Sequence, residues 1–209
     1  MDYLKIALAK GRIGKEASKL FKGIGLCDSL DPDSRKLIFK DEKNKISFTY
    51  VKSSDVITYV QNGVADLGVV GKDEILERET DLYELYDLGF GKCKFAIAGI
   101  ENQKLYAKDQ VLKVATKYPK VTKKYFAARN QKIKVIKLNG SVELAPLVGL
   151  ADVIVDLVET GSTLKANGLN VIEEMFPISA RLICNRVSYR FKYQLIAQLL
   201  AELKEMEEG

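Results

Sequence analysis

The chain has 209 residues, 47% of them hydrophobic and 29% charged, with a net charge of +5 and no histidine. That composition suits a soluble globular protein of one compact domain or two small ones, and no stretch approaches the roughly 20 apolar residues that would span a bilayer. Without imidazole, Ser-His triads, histidine general bases and His-ligated zinc are excluded, so any catalysis rests on carboxylates, Lys and Arg, backbone dipoles or a metal carried by the substrate.

Short apolar runs alternate with amphipathic stretches, which predicts an α/β architecture with largely parallel strands. Leu4 to Ala9 is the predicted first strand, and Lys15 to Lys22 a helix closed by Gly23. Ile46 to Val51 reads as a strand. Ser53, Ser54 and Asp55 offer an N-cap for a helix ending at Asn62 before Gly63. Leu67 to Val70 is another strand, after which Asp73 can open a helix. Beyond the Gly89-Phe90-Gly91 interruption come strands at Lys94 to Ala98, Lys113 to Thr116, Val135 to Leu138 and Val153 to Val155, the last ending in Asp156. Val121 to Arg129 is a helix, Val171 to Phe176 and Arg181 to Asn185 are the last strands, and Tyr189 to Met206 is one long helix. Phe191, Leu195, Ile196, Leu199, Leu200 and Leu203 mark its apolar face. If the segments near Gly89 to Lys92 and Phe176 to Pro177 are crossovers, the middle of the chain is a separate lobe: residues 1–88 and 178–209 form lobe I, and residues 89–177 form lobe II.

The opening MDYLKIALAKGR puts an acid at position 2 and Lys10 and Arg12 after the apolar run, the reverse of a secretory signal, which argues for a cytoplasmic protein. Cys27, Cys93 and Cys184 are odd in number and widely spaced, and read as small buried core residues. Lys117, Lys120, Lys123 and Lys124 read as a solvated helix face, and no nucleic-acid-binding motif accompanies the positive charge.

Five segments carry chemistry. Lys10-Gly11-Arg12 follows the first strand, where ligands bind in open α/β sheets. Two readings fit it equally: a polyanion grip, or an ordinary loop with solvated charges. Arg35 lies in a loop before an apolar run, where a guanidinium reaches a phosphate bidentately or is simply solvated. Gly71-Lys72-Asp73 ends a strand, with helix capping by Asp73 as the plainer reading. Ala115-Thr116-Lys117-Tyr118-Pro119 joins a strand end to a helix start. The most informative run is Glu143 to Leu164, ELAPLVGLADVIVDLVETGSTL. There a carboxylate, Asp156, precedes Glu159, Thr160, Gly161, Ser162 and Thr163, a loop whose backbone N–H groups suit the phosphate of a phosphorylated sugar.

Taken in order, these pieces closely resemble the ATP phosphoribosyltransferase family. Its signature is matched by Glu143, Gly149, Ala151, Ile154, Asp156, Thr160, Gly161, Thr163 and Leu164, and the AKGR, SRKLIF, SSDVITYV, VADLGVVGKD and ATKYP segments are also similar to it. The resemblance covers essentially the whole chain and its length matches the short form. It implies an α/β fold with two lobes like those of type II periplasmic binding proteins, the active site lying in the cleft between them. It implies transfer of the phosphoribosyl group of 5-phosphoribosyl 1-diphosphate to N1 of ATP, with Mg2+ held mainly by the substrate's diphosphate and no dedicated metal cage. By the same resemblance Glu159 to Thr163 hold the ribose 5-phosphate and Asp156 the ribose hydroxyls. Arg12 and Arg35 stabilise departing pyrophosphate, helped by Lys10 and Gly11, and Gly71, Lys72, Asp73, Lys117 and Glu143 line the site. Partners implied are a second catalytic subunit in a homodimer and a histidyl-tRNA synthetase-like regulatory subunit in a hetero-octamer, with no nucleic acid and no membrane. Two other readings remain open from the sequence: a small-anion binding module, and a phosphoribosyltransferase with another acceptor base.

Overall fold

The computed structural model describes residues 3–101, 105 and 111–208. In chain order the elements begin β1 (Leu4–Ala9), α1 (Arg12–Gly23), β2 (Ile38–Asp41), β3 (Ile46–Val51), α2 (Ser53–Gln61), β4 (Leu67–Gly71), α3 (Lys72–Arg78) and β5 (Tyr83–Asp87). They continue with β6 (Cys93–Gly99), β7 (Leu112–Thr116), α4 (Pro119–Ala127), β8 (Ile133–Lys137), α5 (Leu144–Leu147), β9 (Val153–Val158), α6 (Ser162–Ala166) and β10 (Asn170–Ile178). The chain closes with β11 (Ala180–Cys184), α7 (Arg186–Phe191) and α8 (Tyr193–Glu208).

Two compact units result: Met1–Ile75, Glu79–Gly91 and Ser179–Gly209 make the first, and Leu76–Arg78 with Lys92–Ile178 the second. The first unit is built on a six-stranded sheet of order β2-β3-β1-β4-β11-β5, the second on a five-stranded sheet of order β10-β6-β9-β7-β8. In the first, Leu4, Ile6 and Leu8 of β1 face Ala17 and Phe21 of α1, while Ala7 and Ala9 face Val56, Ile57 and Val60 of α2. That two-sided burial explains why β1 reads as a nearly continuous apolar run. In the second, Val153 and Val155 of β9 pack with Val121 and Phe126 of α4, and Ile154 with Ala145 and Leu164 on the opposite face.

The strands are not largely parallel. Parallel pairing is confined to β3-β1-β4 and to β8-β7-β9, while β2, β5, β6, β10 and β11 all pair antiparallel. Periodicity registers a buried strand but not its direction, and these strands are not linked to their sheet neighbours by a βαβ crossover.

The C-terminal segment is two helices instead of one. Asn185 caps α7 by accepting from the Ser188 N–H at 2.7 Å, and the chain breaks at Lys192. Buried Asp66 fixes the break: it accepts from Lys192 Nζ at 2.7 Å, Ser188 Oγ at 2.6 Å and Lys5 N at 2.8 Å. Only Ile196, Leu199 and Leu203 of the expected stripe are buried; Leu195 is exposed and Phe191 is 77% exposed. Cys27 and Cys184 are buried and Cys93 is half-buried, all as free thiols. Lys117, Lys120, Lys123 and Lys124 are exposed, as a solvated face requires.

Candidate active site

In the first unit, β1, β3 and β4 run parallel, with Ala9 beside Val51 and Leu8 beside Val69. Lys10 to Arg12 and Lys72 to Asp73 therefore leave the sheet at its carboxyl edge, where open α/β sheets bind ligands. Antiparallel β2 places Ile38 opposite Thr49, which brings the segment carrying Arg35 to the same edge. Lys10, Gly11, Arg12 and Arg35 are exposed, Lys72 is half-buried, and Gly71 and Asp73 are buried.

Gly11 precedes α1 at φ 91° and ψ −152°, a conformation essentially reserved for glycine. The helix then starts with no capping side chain and no acidic residue in its first turn, which leaves the positive end of its dipole to an anion. Gly14 lets α1 sit directly on β1: a Cβ there would lie 1.9 Å from the Ala9 carbonyl oxygen.

Ser53 begins α2 inside the helix, after Lys52, and no side chain caps it. Likewise α3 starts at Lys72 with Gly71 as its cap residue, so Asp73 sits in the first turn and does not open the helix. The Asp73 carboxylate folds back over the strand end, since a Cβ on Gly71 would lie 2.1 Å from its Oδ1. Lys72 Nζ is bound by Glu84, which also approaches Arg181 Nε at 3.4 Å. Arg181 in turn holds Asp87 at 2.8 Å. Lys72 thus enters the site with its charge already partnered.

In the second unit, β7, β8 and β9 are parallel, with Thr116 beside Lys137 and Val155. Lys117, the 138–143 segment with Glu143, and the chain from Asp156 onward all follow at that carboxyl edge. Asp156 does not end its strand, because β9 continues to Val158 by pairing with β6, where Asp156 lies opposite Ala96. It is the first residue beyond the reach of β7, so the half-buried carboxylate still stands at the rim.

After β9, Gly161 adopts φ 75° and caps the five-residue α6. Ser162 N donates to Thr160 Oγ1 at 3.4 Å, and Thr160 Oγ1 donates to Ser162 Oγ at 3.1 Å, curling the loop. Glu159, Thr160, Ser162 and Thr163 are exposed. A groove of about 320 Å³ flanks the loop and includes Lys94 and Lys165 in its lining.

Two side chains organise this edge: Thr116 of the Ala115–Pro119 segment, and Glu77, which lies outside the motifs. Thr116 is fully buried and its Oγ1 donates to Val155 O at 2.7 Å while accepting from Tyr118 N at 2.9 Å, which sets the turn into α4. The Glu77 carboxylate accepts from Lys120 N at 2.9 Å and Val121 N at 3.1 Å. The amino end of α4 is thereby filled by an anion of the chain itself. Nothing in sequence spacing links Glu77 to residues 43 positions away.

Each unit is a mixed α/β sheet with polar loops at its carboxyl edge, and together they give a fold of the type II periplasmic-binding-protein kind. The fold is similar to that of the periplasmic aliphatic sulphonate binding protein SsuA from Escherichia coli, at a TM-score of 0.62 and 18% identity over 98% of this chain and 72% of that one. It is more similar to the ATP phosphoribosyl transferase (HisG:HisZ) complex from Thermotoga maritima, with a TM-score of 0.84 and 35% identity over 98% of each chain. Residues 52–205 match the family model HisG: ATP phosphoribosyltransferase. An ATP phosphoribosyltransferase of Clostridioides difficile is 65% identical over 99% of this chain and all of its own length, and one of Lachnoclostridium phytofermentans is 51% identical over 99% and 98%. The chain belongs to the ATP phosphoribosyltransferase family.

Proposed function

We propose that this chain transfers the phosphoribosyl group of 5-phosphoribosyl 1-diphosphate to N1 of ATP, releasing pyrophosphate, as the first step of histidine biosynthesis. Family membership supports the reaction, and one observation carries the residue roles: Lys10, Arg12, Arg35, Asp156 and the 159–163 loop all lie on the carboxyl edges of parallel strands.

The adenine nitrogen already holds its lone pair, so the reaction asks for placement and charge stabilisation in preference to a strong base. The N–H groups and hydroxyls of Thr160 to Thr163 hold the 5-phosphate, and the Asp156 carboxylate accepts from the ribose hydroxyls. Arg12 and Arg35 carry the charge that develops on pyrophosphate as the C1–O bond breaks and N1 attacks with inversion. Lys10 and Lys117 bind phosphate oxygens. Gly11 and Gly71 give backbone access, while Lys72, Asp73, Glu143 and Glu159 complete the two edges. We assign residues 1–88 and 178–209 to the lobe with the arginines, and residues 89–177 to the lobe with the sugar-phosphate loop, bounds that differ from the compact units at residues 76–78, 89–91 and 178.

Magnesium enters with the substrate. The cations at these edges suit phosphate oxygens, and the substrate's diphosphate with water would supply most of the ion's ligands. Bound there, such an ion would supply neutralisation of charge on the leaving group.

We place the enzyme in the cytoplasm, as fits a biosynthetic enzyme of this family. We assign it a HisZ-type regulatory partner, as in the Thermotoga maritima complex, a hetero-octameric assembly and a homodimer of catalytic subunits. Exposed Val187, Phe191 and Tyr193, which line one groove with Tyr83, support burial in an assembly.

The protein co-purified with its partner should release pyrophosphate from 5-phosphoribosyl 1-diphosphate when ATP is the acceptor, and none with free nucleobases. Release with adenine or guanine, or none with ATP, would overturn the reading. Gly161→Ala should raise the KM for 5-phosphoribosyl 1-diphosphate about tenfold, because left-handed backbone costs a side chain roughly 1–2 kcal/mol. A saturation curve that overlays the parent's would remove the loop from the sugar-phosphate site.

A further inference from the structure

Tyr50, on β3, bonds directly to the segment that follows Arg35 and, through Ser18, to the first turn of the helix that Arg12 opens. Its side chain is buried, and its ring packs edge-on against Phe39 at 5.7 Å. The backbone N–H of Tyr50 donates to Leu37 O at 2.9 Å, two residues after Arg35. At its other end, the hydroxyl meets Ser18 Oγ, which itself donates to the Gly14 carbonyl at 2.5 Å. Since the single Ser18 proton is committed to Gly14, Tyr50 is the donor to Ser18. Burial raises the Tyr50 pKa, with Asp31 and Asp33 adding to the effect and the Ser18 bond opposing it, so the phenol keeps its proton.

Gly14 lies in the first turn of α1, two residues after Arg12, on the surface that presses against Ala9. The chain of contacts therefore runs from the Arg35 segment, through Tyr50 and Ser18, to the turn that aims Arg12. The Lys15–Asp33 pair at 2.8 Å also joins the two segments, but it is solvent-exposed and contributes little rigidity.

We infer that Tyr50 is a positioning residue for the transfer reaction, holding the Arg12 and Arg35 segments in one fixed register. The inference rests on the reading that these arginines stabilise departing pyrophosphate. Neither Tyr50 nor Ser18 contacts substrate in this account; each acts through the guanidinium groups.

Tyr50→Phe keeps the ring and its contact with Phe39 while removing the one hydroxyl. In the complex with its partner subunit, it should slow the single-turnover rate about ten- to hundredfold, since misplacement near 1 Å costs that much. KM for 5-phosphoribosyl 1-diphosphate should change less than about twofold, because the sugar-phosphate loop is untouched. The melting temperature should fall by only about 2–4 °C. Ser18→Ala cuts the same chain from the helix side and should reproduce the kinetic loss, which covers the case of a poorly folding Tyr50 variant. The deciding comparison is Tyr50→Phe in an Arg12→Ala background. A positioning role predicts that the second substitution adds little to the first. Full additivity, or a parent-like rate in both Tyr50→Phe and Ser18→Ala, overturns the inference. A parent-like rate in Arg12→Ala alone overturns the reading of the arginines beneath it, and the two failures are told apart by that single variant.

Discussion

Arg12→Ala and Arg35→Ala are each expected to lower the single-turnover rate about 10²- to 10³-fold, the usual loss when one preorganised donor to a developing anion is removed. Both side chains are exposed at the carboxyl edge of the first unit's sheet, so truncation leaves the core intact. The ribosyl centre becomes cationic as pyrophosphate departs with its charge, and a planar guanidinium meets two phosphate oxygens at once. That interaction strengthens in the transition state and contributes less to ground-state binding, so KM should move much less than the rate. Arg12→Lys should recover only part of the loss, because an ammonium is a point charge without the fork. Rapid-quench measurement separates the outcomes. A raised KM with an unchanged single-turnover rate would make these residues binders of substrate and nothing more.

Gly14→Ala should be the most damaging single methyl in the first unit. Its Cβ would stand 1.9 Å from the Ala9 carbonyl oxygen and 3.5 Å from the Tyr50 ring. The first of these is backbone in a central strand and cannot rotate away, so α1 must lift from β1. Overpacking of this kind costs about 1–3 kcal/mol or more, and for a chain of this size each kcal/mol lowers the melting temperature by about 2–4 °C. Lifting the helix also re-aims Arg12, so activity should fall beyond what stability explains. Gly140→Ala is the control, with nothing within 4 Å of the added carbon. Thermal unfolding of the two variants checks the contrast. A Gly14→Ala protein as stable as the parent would mean that α1 does not seat on β1 as described.

The central strands were legible because residues such as Ile6, Leu8, Val153 and Val155 are buried whatever their neighbours do, and a strand covered on both faces announces itself as an apolar run. β2 escaped because only Phe39 of its four residues is buried, which is too little pattern to read. β5 escaped likewise, with none of its five residues buried, and strand direction escaped for β6, β10 and β11, where no crossover helix marks it. The break in the C-terminal helix escaped because its cause is Asp66, 126 residues from Lys192.

The same division holds at the site. Candidate residues marked by type and local spacing, such as Gly11, Asp156 and the Thr160 to Thr163 loop, stand out in the sequence. Residues that serve by tertiary pairing do not: Glu84 on Lys72, Glu77 on the end of α4, and Tyr50 on Ser18 each depend on contacts that no motif encodes.

Catalysis by these residues turns on where the activated sugar sits. A crystal structure with 5-phosphoribosyl 1-diphosphate and magnesium bound should show the 5-phosphate on the N–H groups of Thr160 to Thr163 and the ribose hydroxyls at Asp156. A 5-phosphate bound anywhere else, with that loop empty, would contradict it.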